Sequence, residues 1–396
     1  MKQIVIVGTG MGPDSLSEEG RRALAEATVW FGAPRLLEIF KPLFAVPKVI
    51  FPFYKYEEIL AVLEQREETC FAVLVSGDTG FYSAAPGIYE ALQKYNPRIV
   101  PGASSVSAFF ARLGLPWQDA ALLSVHGRDM TALTGTVRRN RYTFCLTGNN
   151  VASIGEALCD AGYAGLRVHT GENLGLPEEW VRTITAEELS LSNLPPLSVL
   201  VVVNDDPDDR IRFGLPDTAF DRSDGIPMTK SEVRALSLAK LALKPGDICY
   251  DIGAGTGSVT VEMALAAYRG RVYAIERQPD ALPLIRENLR RFHLGNVTVI
   301  EGEAPEALEE LPPPDAVFIG GSGGHIGEII SVIQAKNPQV RMVITAITLE
   351  TAAAVLAALP QAELTQLSAA RAKIAGKSHL LTAQNPVMVI SAGGML

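Results

Sequence analysis

The sequence predicts an α/β protein made of two different domains, the second of which is a doubly wound, Rossmann-like sheet. Short β-branched runs alternate with helical stretches along the chain, glycine-rich loops follow several of those runs, and an acidic segment lies near the middle. With 396 residues, of which 47% are hydrophobic and 20% charged, the chain has enough material for two cores. This composition excludes disorder, collagen and coiled coil as descriptions of the whole chain.

The first half contains apolar runs of strand length and stretches with helical character. Ser17 is followed by two glutamates, which is typical of the start of a helix. The helices predicted here are Ser17–Ala27 and Ser105–Leu113. The predicted strands are Ile4–Val7, Phe71–Val75, Thr143–Leu146 and Val199–Val203.

An acidic segment separates the two halves. Residues 205–224 carry seven acidic and three basic side chains and begin with Asp205-Asp206-Pro207-Asp208-Asp209. Such a segment repels itself and buries little, so we expect residues 205–224 to be an exposed linker. This places the first domain at residues 1–204 and the second at residues 225–396.

Strands and helices alternate more regularly in the second half. The predicted helices are Thr229–Leu243, Ser258–Tyr268, Ala281–Phe292, Ile326–Gln334 and Leu349–Leu359. The predicted strands are Asp247–Asp251, Val272–Glu276, Val297–Glu301, Ala316–Gly320, Arg341–Ala346, Leu364–Ser368 and Pro386–Ser391. Such a repeat requires right-handed crossovers and a parallel sheet covered on both faces. We expect the last two strands to form an antiparallel pair on that sheet.

Charge and cysteine usage narrow the range of partners. The chain has 35 basic and 44 acidic residues, a net charge of −9, and therefore no basic excess for nucleic acid. The four cysteines have no C-x-x-C spacing, which favours free thiols in a reducing compartment and no metal site. The start of the chain lacks the features of a signal peptide, and no apolar run approaches the ~20 residues that span a membrane. We expect a cytoplasmic protein that binds neither nucleic acid nor membranes.

The strongest motif is the glycine loop Asp251-Ile252-Gly253-Ala254-Gly255-Thr256-Gly257, between a predicted strand and a predicted helix. A dinucleotide-binding loop has the pattern G-x-G-x-x-G, which this loop does not have. Glu276 ends the next strand, where a carboxylate can accept hydrogen bonds from both ribose hydroxyls of a nucleoside. This combination favours S-adenosylmethionine. A glycine turn in another doubly wound protein and a nicotinamide enzyme stay open as alternatives.

These residues resemble the class I methyltransferases. Three further segments, Gly225–Lys230, Glu301–Glu306 and Gly320–Gly324, resemble the family that methylates carbon 15 of a precorrin and decarboxylates it in cobalamin biosynthesis. The resemblance implies contacts with S-adenosylmethionine from Thr229, Gly253, Ala254, Gly255, Thr256, Gly257, Glu276 and Ala304.

Three loops of the first half follow apolar runs, namely Gly8–Pro13, Ser76–Ser83 and Pro101–Ser105. In an α/β sheet such loops meet at the carboxyl edge, where ligands bind. Together with Ser124–Arg128 and Glu172–Gly175 they resemble the tetrapyrrole methylase family, in particular the branch that methylates carbon 5 of the precorrin ring. The resemblance implies cofactor contacts from Gly10, Gly77, Asp78, Phe81, Ser104, Ser105 and Thr147.

Several polar residues have two interpretations. Asp78 could bind its own backbone in a turn, and His126 could be a structural histidine rather than a substrate-binding one. The remaining candidates for a polycarboxylate substrate, each of which could also be a solvated surface cation, are Arg128, Arg138, Arg139, Arg141, Arg371, Lys373 and Lys377. Of these, Arg371 is favoured, because arginine forms bidentate contacts with carboxylates and the loop that carries it is expected near the cofactor.

The order of the two resemblances is itself informative, because one family fuses these two methyltransferase folds. The pairing implies transfer of two methyl groups, from one S-adenosylmethionine per domain, to carbons 5 and 15 of a precorrin or cobalt-precorrin. It also implies loss of carbon dioxide from the acetate on ring C, and a homo-oligomer. No catalytic residue is assigned, because methyl transfer from a sulfonium needs positioning more than covalent chemistry. The alternatives are a non-catalytic S-adenosylmethionine or tetrapyrrole-binding module, and a methyltransferase acting on RNA or protein.

Overall fold

In the computed structural model, which describes residues 2–126 and 129–394, the chain forms two compact units. The first unit comprises Met1–Arg128, Tyr142–Ala152 and Arg167–Val203. The second comprises Asp129–Arg141, Ser153–Leu166 and Asn204–Leu396. Among the helices of the described residues, none is long and apolar enough to cross a membrane.

A parallel sheet begins the first unit. Its strands are β1 (Gln3–Gly8), β2 (Val29–Gly32), β3 (Val49–Phe51), β4 (Cys70–Val75) and β5 (Arg98–Val100), in the order β3-β2-β4-β1-β5. The helices between and after them are α1 (Glu18–Glu26), α2 (Pro34–Phe40), α3 (Tyr56–Gln65), α4 (Ala85–Ala91) and α5 (Ser105–Leu113). Ile6 and Val73 pack into one core and Val7 and Leu74 into another, so β1 and β4 are buried on both faces. Burial on both faces explains why their sequences are continuously apolar.

A mixed sheet follows in the same half of the chain. Its strands are β6 (Ala121–Ser124), β7 (Tyr142–Leu146), β8 (Arg167–Glu172), β9 (Trp180–Thr185) and β10 (Ser198–Val203), in the order β6-β7-β10-β8-β9. Strands β6 and β7 are parallel, whereas the other neighbours are antiparallel. The helices in this part are α6 (Leu133–Arg139), α7 (Val151–Asp160) and α8 (Ala186–Ser190).

The elements predicted for the first half are confirmed as β1, β4, β7, β10, α1 and α5. Ser17 accepts a hydrogen bond from Gly20 N at the start of α1, as its position before two glutamates predicts. The strands missing from the prediction include β3 and β5, which have three residues each. Runs this short do not show a period that distinguishes a strand from a loop.

The second unit has a doubly wound sheet. Its strands are β11 (Ile248–Ile252), β12 (Arg271–Glu276), β13 (Val297–Glu301), β14 (Ala316–Ile319), β15 (Arg341–Ala346), β16 (Glu363–Leu367) and β19 (Val387–Ala392), in the order β13-β12-β11-β14-β15-β19-β16. Strand β19 is antiparallel to both β15 and β16, which confirms the predicted antiparallel closing pair. The other neighbours are parallel.

Helices cover both faces of this sheet. They are α9 (Ser231–Leu241), α10 (Ser258–Ala266), α11 (Ala281–Arg291), α12 (Ile326–Lys336) and α13 (Leu349–Ala358). Cys249 and Phe318 face a core that contains residues of α9, α10 and α11. Tyr250 and Ile319 face the opposite core, with residues of α12 and α13. The doubly wound prediction for the second half is therefore confirmed.

A separate hairpin stands where the sequence predicted a loop. Strands β17 (Ala370–Ala375) and β18 (Ser378–Ala383) pair with each other and form a two-stranded sheet of their own. Arg371 and Lys373 therefore lie on strand β17, and Lys377 lies in the turn. Alternation along this stretch is too weak to predict a strand, because nearly all of its side chains are exposed.

The acidic segment 205–224 also differs from the expectation of a wholly exposed linker. Its first part is largely exposed, but the exposed fractions of Asp217 and Phe220 are 7% and 3%. Phe220 packs against Phe292, with 5.2 Å between the ring centroids. The carboxylate of Asp217 is buried because a buried arginine, Arg234, pairs with it at 3.1 Å. Residues 205–224 thus contribute to the core of the second unit.

Candidate functional site

The three glycine loops of the first unit converge at the carboxyl ends of β1 and β4. Gly10 N donates to Gly77 O at 3.2 Å, and Gly77 N donates to Gly10 O at 3.1 Å, so the first two loops are bonded to each other. A Cβ atom on Gly102 would lie 2.2 Å from Gly77 O, which means that the third loop approaches this closely only with glycine. The predicted convergence is therefore seen.

A cavity of about 300 Å³, here called the first cavity, lies beside these loops. It is lined by residues 9–12 and 76–78, by α2, by the carboxyl ends of β6 and β7, by the segment after β8, and by residues 196–199 at the start of β10. Of the residues predicted for this half, those that line it are Gly10, Gly77, Asp78, Phe81, Ser105, His126 and Thr147. Ser104 instead caps α5, where its Oγ accepts a hydrogen bond from Val106 N. Arg128 lies outside the described residues.

The polar residues of the first cavity are held in place by the backbone. Asp78 Oδ1 accepts a hydrogen bond from Gly80 N at 2.7 Å, as the turn interpretation predicts, while the residue also lines the cavity. His126 Nδ1 lies 3.1 Å from Thr147 O, and the Thr147 hydroxyl donates to Ser198 O at 2.7 Å. The other ring nitrogen of His126 has no hydrogen bond to a described residue.

A second cavity, of about 170 Å³, lies in the second unit. Of the predicted residues, Gly253, Gly255, Glu276 and Ala304 line it. Its other walls come from Pro227, Gln278 and the loop Gly320–Gly323. Gly253 has a φ of +75°, and a Cβ atom there would lie 2.8 Å from Gly321 N. The close approach of these two loops thus requires glycine at 253.

Glu276 is bound to the glycine loop itself. Its Oε2 accepts a hydrogen bond from Gly255 N at 2.7 Å, and its Oε1 accepts one from Gln278 N at 2.8 Å. Each carboxylate oxygen has a further lone pair, so Glu276 can accept hydroxyl donors as well. A buried carboxylate at the wall of a glycine-lined cavity fits a nucleoside ribose, and the residues present are therefore compatible with S-adenosylmethionine.

Two buried oxygen atoms of the same loop lack partners. Asp251 and Thr256 are each 0% exposed, and neither Asp251 Oδ1 nor Thr256 Oγ1 has a hydrogen-bond partner among the described residues. Thr260 Oγ1 donates to the other oxygen of Asp251. Burial raises the pKa of the Asp251 carboxyl to about 7, so that it is partly protonated near neutral pH.

The other residues predicted for the second half do not line this cavity. Ala254, Thr256 and Gly257 form the body of the loop, and Gly257 precedes α10. Thr229 also lies outside the cavity wall, and its carbonyl accepts a hydrogen bond from the guanidinium of Arg234. The segment before α9 still meets the loop, because Thr256 N donates to Pro227 O at 3.2 Å.

Arg371, the favoured substrate residue of the second half, is already engaged by carboxylates. Its Nε donates to Glu232 Oε1 at 2.8 Å, its Nη1 to Asp217 Oδ2 at 2.7 Å, and its Nη2 to Ser231 Oγ at 2.8 Å. These hydrogen bonds raise the pKa of Arg371 and hold the pKa of Glu232 at about 2. Neither Arg371 nor Lys373 lines the second cavity. In this geometry Arg371 is a structural ion-pair residue.

The basic run 138–141 is also engaged in protein contacts. Arg138 donates to Asp208 at 3.0 Å, and the guanidinium of Arg139 lies 4.4 Å from the ring centroid of Tyr268. Arg141 lies 3.9 Å from Asp205. These contacts give all three arginines protein partners, and the side chain of Arg138 is only 14% exposed, so the run is not simply a solvated surface.

The prediction missed several residues of the first cavity. Asn173, Leu174 and Leu176 belong to a loop that the sequence resemblance indicated, and Asn173 has a φ of +48°, which asparagine tolerates. Arg35 and its neighbours on α2 carry no motif. Only the packing of α2 beside the glycine loops places them at the cavity.

Comparisons with known proteins match two different families to two parts of the chain. The tetrapyrrole (corrin/porphyrin) methylase family matches residues 3–190, and the precorrin methyltransferase domain family matches residues 218–393. The chain is 33% identical over 362 residues to the precorrin-6Y C(5,15)-methyltransferase [decarboxylating] of a Sinorhizobium species, covering 89% of this chain and 86% of that protein.

Two further similarities cover about half of the chain. A probable cobalt-precorrin-6B C(15)-methyltransferase (decarboxylating) of Pyrobaculum calidifontis is 40% identical over 185 residues, which is 45% of this chain and 95% of that protein. The crystal structure of a precorrin-6y C5,15-methyltransferase from Geobacter metallireducens is 38% identical, with a TM-score of 0.44, and covers 46% of this chain and 97% of that one.

Proposed function

The chain belongs to the precorrin-6Y C5,15-methyltransferase (decarboxylating) family, and on that premise we propose that its two units each bind their own S-adenosylmethionine. The family activity is methylation of a precorrin at carbons 5 and 15 with decarboxylation, in cobalamin biosynthesis. The proposal assigns methylation at carbon 5 to the first unit. It assigns methylation at carbon 15 and the decarboxylation to the second unit.

One observation carries the proposal, namely the presence of a glycine-lined cavity at strand ends in each unit. The first cavity lies where β1 and β4 end, and the second where β11, β12 and β14 end. Ligands of α/β sheets bind at this edge. The tetrapyrrole methylase match covers the residues that line the first cavity except residues 196–199, and the precorrin methyltransferase match covers those that line the second, which supports one cofactor for each.

In the second cavity, Glu276 is the group that binds the cofactor ribose. It is 6% exposed, and its hydrogen bonds to Gly255 N and Gln278 N orient both oxygen atoms before a ligand arrives. Hydrogen bonds to an ionised acceptor contribute about 1.5–3 kcal/mol each. Glu276 therefore both shapes the loop and selects a ligand with vicinal hydroxyls.

In the first cavity, the residues hold the cofactor largely through backbone and small polar groups. Gly10, Gly77 and Ser105 line one side, and Thr147 lines another. Phe81 packs against Phe144, with 6.0 Å between ring centroids, and presents an aromatic surface to the same space. Small side chains therefore line the part of the cavity beside the glycine loops.

The chain's own contribution to the chemistry is orientation and exclusion of water. When bound, S-adenosylmethionine supplies an electrophilic methyl group, and a ring carbon of the macrocycle is the nucleophile. Holding two reactants in line can lower the activation free energy by roughly 7–11 kcal/mol. Apolar residues such as Leu36, Ile39 and Leu176 line the first cavity, and we propose that they help to exclude water when the cofactor and the macrocycle are bound. Neither cavity therefore needs a catalytic acid for methyl transfer.

The test is a matched pair of cavity-filling variants in the full chain, Ser105→Phe and Ser322→Phe. Both serines are half-buried, and each lines one cavity. We expect Ser105→Phe to lower methylation at carbon 5 at least about tenfold, or ~1.4 kcal/mol, with carbon 15 unaffected. Ser322→Phe should lower methylation at carbon 15 and decarboxylation, with carbon 5 unaffected. Mass spectrometry of the products distinguishes the two.

Cofactor stoichiometry gives an independent readout of the same pair. Titration calorimetry should find about two molecules of S-adenosylmethionine per wild-type chain and about one in either variant. A single site per chain, or loss of both methylations in one variant, contradicts the proposal. Binding at both cavities without any methyl transfer would instead support the binding-module alternative.

The remaining features of the proposal concern the setting of the reaction. We propose a precorrin or a cobalt-precorrin as the substrate, in keeping with the names of the relatives. We further propose that the protein acts in the cytoplasm as a homo-oligomer and without nucleic acid. The net charge of −9 supports the last point, because it disfavours binding to a polyanion.

A further inference from the structure

The first cavity has one arginine at its wall that the cofactor assignment does not use. Among the described residues that line it, Arg35 is the only lysine or arginine. It lies in the first turn of α2, and its side chain is exposed to solvent over part of its length. The apolar residues Leu36, Ile39 and Phe40 of the same helix line the cavity beside it.

Arg35 forms no polar contact in the described part of the chain that would explain its position. It makes no hydrogen bond and no ion pair with any residue in the described part of the chain, and burial lowers the pKa of its guanidinium without a carboxylate to oppose this. A cation in the first turn of a helix is also disfavoured by the helix dipole. Asp78 lines the same cavity, but it does not pair with Arg35, and its Oδ1 accepts the Gly80 amide.

The second cavity offers an informative contrast. Arg277 lines it, but Arg277 Nη1 donates to Glu303 Oε1 at 2.7 Å, so the charge of this arginine is already balanced. Arg35 is the cavity-lining arginine that keeps its donors available. A guanidinium beside an apolar helix face suits a flat apolar ring whose edge carries carboxylates. The ring can pack on the helix while the paired N–H donors of the guanidinium bind a carboxylate.

We propose that Arg35 binds a carboxylate side chain of the macrocycle at the first cavity and thereby positions the ring for methylation at carbon 5. This rests on the proposed function of the first unit. The ligand chemistry is a carboxylate on a polyanionic macrocycle. The cofactor occupies the space beside the glycine loops, and the macrocycle approaches from the side of α2.

The experiment compares Arg35→Gln and Arg35→Lys with a matched control, Arg22→Gln, in the full chain. Arg22 is exposed on α1, does not line the cavity and has no hydrogen bond or ion pair to a described residue. We expect Arg35→Gln to raise the KM of the macrocycle for carbon-5 methylation at least about tenfold, or ~1.4 kcal/mol. The KM of Arg35→Lys should lie between those of the wild type and Arg35→Gln, since lysine keeps the positive charge but lacks the paired N–H donors of the guanidinium. Arg22→Gln should match the wild type.

Two readouts separate binding from a structural effect. The Kd of S-adenosylmethionine and the rate of carbon-15 methylation should not change in Arg35→Gln. Raising the NaCl concentration should raise the wild-type KM more than that of Arg35→Gln, because the contact is ionic. Equilibrium binding of the macrocycle in the presence of S-adenosylhomocysteine, followed by fluorescence, decides the proposal without turnover.

The outcomes also distinguish this proposal from the function on which it rests. Equal macrocycle Kd and equal salt dependence for Arg35→Gln and Arg22→Gln would overturn the role of Arg35, even with carbon-5 methylation intact. Absence of carbon-5 methylation in the wild type, with no effect of Ser105→Phe on cofactor binding, would instead overturn the assignment of the first unit.

Discussion

Asp251 shows how a single buried residue couples the glycine loop to pH. It is the next-to-last residue of β11 and the first of the glycine loop motif, it is 0% exposed, and Thr260 donates to one of its two oxygen atoms. Burial is the main cause of its pKa of about 7, and the nearby carboxylate of Glu276 adds to it. The folded chain therefore keeps a proton on Asp251 at pH values where the unfolded chain has released it, since a free aspartate has a pKa of about 3.9.

The sign of the resulting pH dependence follows from linkage. The stabilising contribution of protonated Asp251 is complete below about pH 4 and is lost as the pH rises to about 7. Asp251→Asn has no carboxyl at this position and should not show this loss. Between pH 4.5 and pH 8 the Tm of the wild type should therefore fall relative to the Tm of the variant. Calorimetry of the full chain without ligand measures it.

An exposed acid provides the control for this prediction. Asp224 is exposed, and Asp224→Asn should leave the pH profile of the Tm unchanged. If the difference in Tm between Asp251→Asn and the wild type is the same at every pH, the buried carboxyl is not protonated in the folded state.

At the scale of elements, the hairpin β17–β18 is attached to the start of α9 by ion pairs. Arg371 on β17 binds Glu232 and Asp217, and Asp217 is shared with the fully buried Arg234. Arg234 also pairs with Glu262 of α10 at 2.8 Å. The network therefore connects the hairpin, α9 and α10. Because Arg234 also binds the Thr229 carbonyl, it steadies the segment that meets the glycine loop.

This geometry predicts a structural effect for Arg371→Ala. The side chain of Arg371 is 37% exposed, so solvent weakens its ion pairs, and we expect a loss of about 1 kcal/mol in the free energy of unfolding. The KM of the macrocycle for carbon-15 methylation should not change. Denaturant unfolding and product analysis measure the two quantities.

Lys373→Ala is the matched control on the same strand. Lys373 is exposed and makes no hydrogen bond or ion pair with a described residue, so its replacement should change stability by less than about 0.5 kcal/mol. A higher KM of the macrocycle in Arg371→Ala, with an unchanged free energy of unfolding, would contradict the structural role and support substrate binding by Arg371.

At the scale of the whole molecule, the boundary of the second unit lies earlier than its first helix. Phe220 is buried against Phe292 and under the guanidinium of Arg234, which lies 4.7 Å from its ring centroid. Asp221 N donates to Asn288 Oδ1 at 2.8 Å. Residues of the acidic segment therefore complete the core of the second unit, and both Phe220 and Asp221 lie within the precorrin methyltransferase match, residues 218–393.

A pair of fragments tests this boundary. A fragment of residues 225–396 lacks Asp217, which leaves the fully buried Arg234 with Glu262 as its remaining carboxylate. Removing one partner of a buried ion pair costs about 3–5 kcal/mol. We expect the free energy of unfolding of the fragment 214–396 to exceed that of the fragment 225–396 by about this amount, as measured by denaturant unfolding. Equal stability would restore the exposed-linker interpretation of residues 205–224.

The sequence alone determined the features that local geometry controls. The loop Gly253–Gly257 was recognisable because a strand, a tight turn and a helix follow one another directly, and glycine is needed where the backbone approaches Gly321. Long, doubly buried strands such as β1, β4 and β11 were recognisable by continuous apolar runs. The carboxylate of Glu276 was found by its position at the end of β12, because adjacent parallel strands end at one edge.

Only the tertiary structure decided which charged side chains are paired and which are available. The sequence favoured Arg371 as a substrate-binding residue, whereas in the structure it binds Asp217, which lies 154 positions away, and no local pattern could reveal that pair. Arg35 carries no motif, and only the packing of α2 beside the glycine loops brings it to the first cavity. Backbone geometry depends on neighbours in the sequence, whereas charge balance depends on neighbours in space, and the fold alone determines the latter.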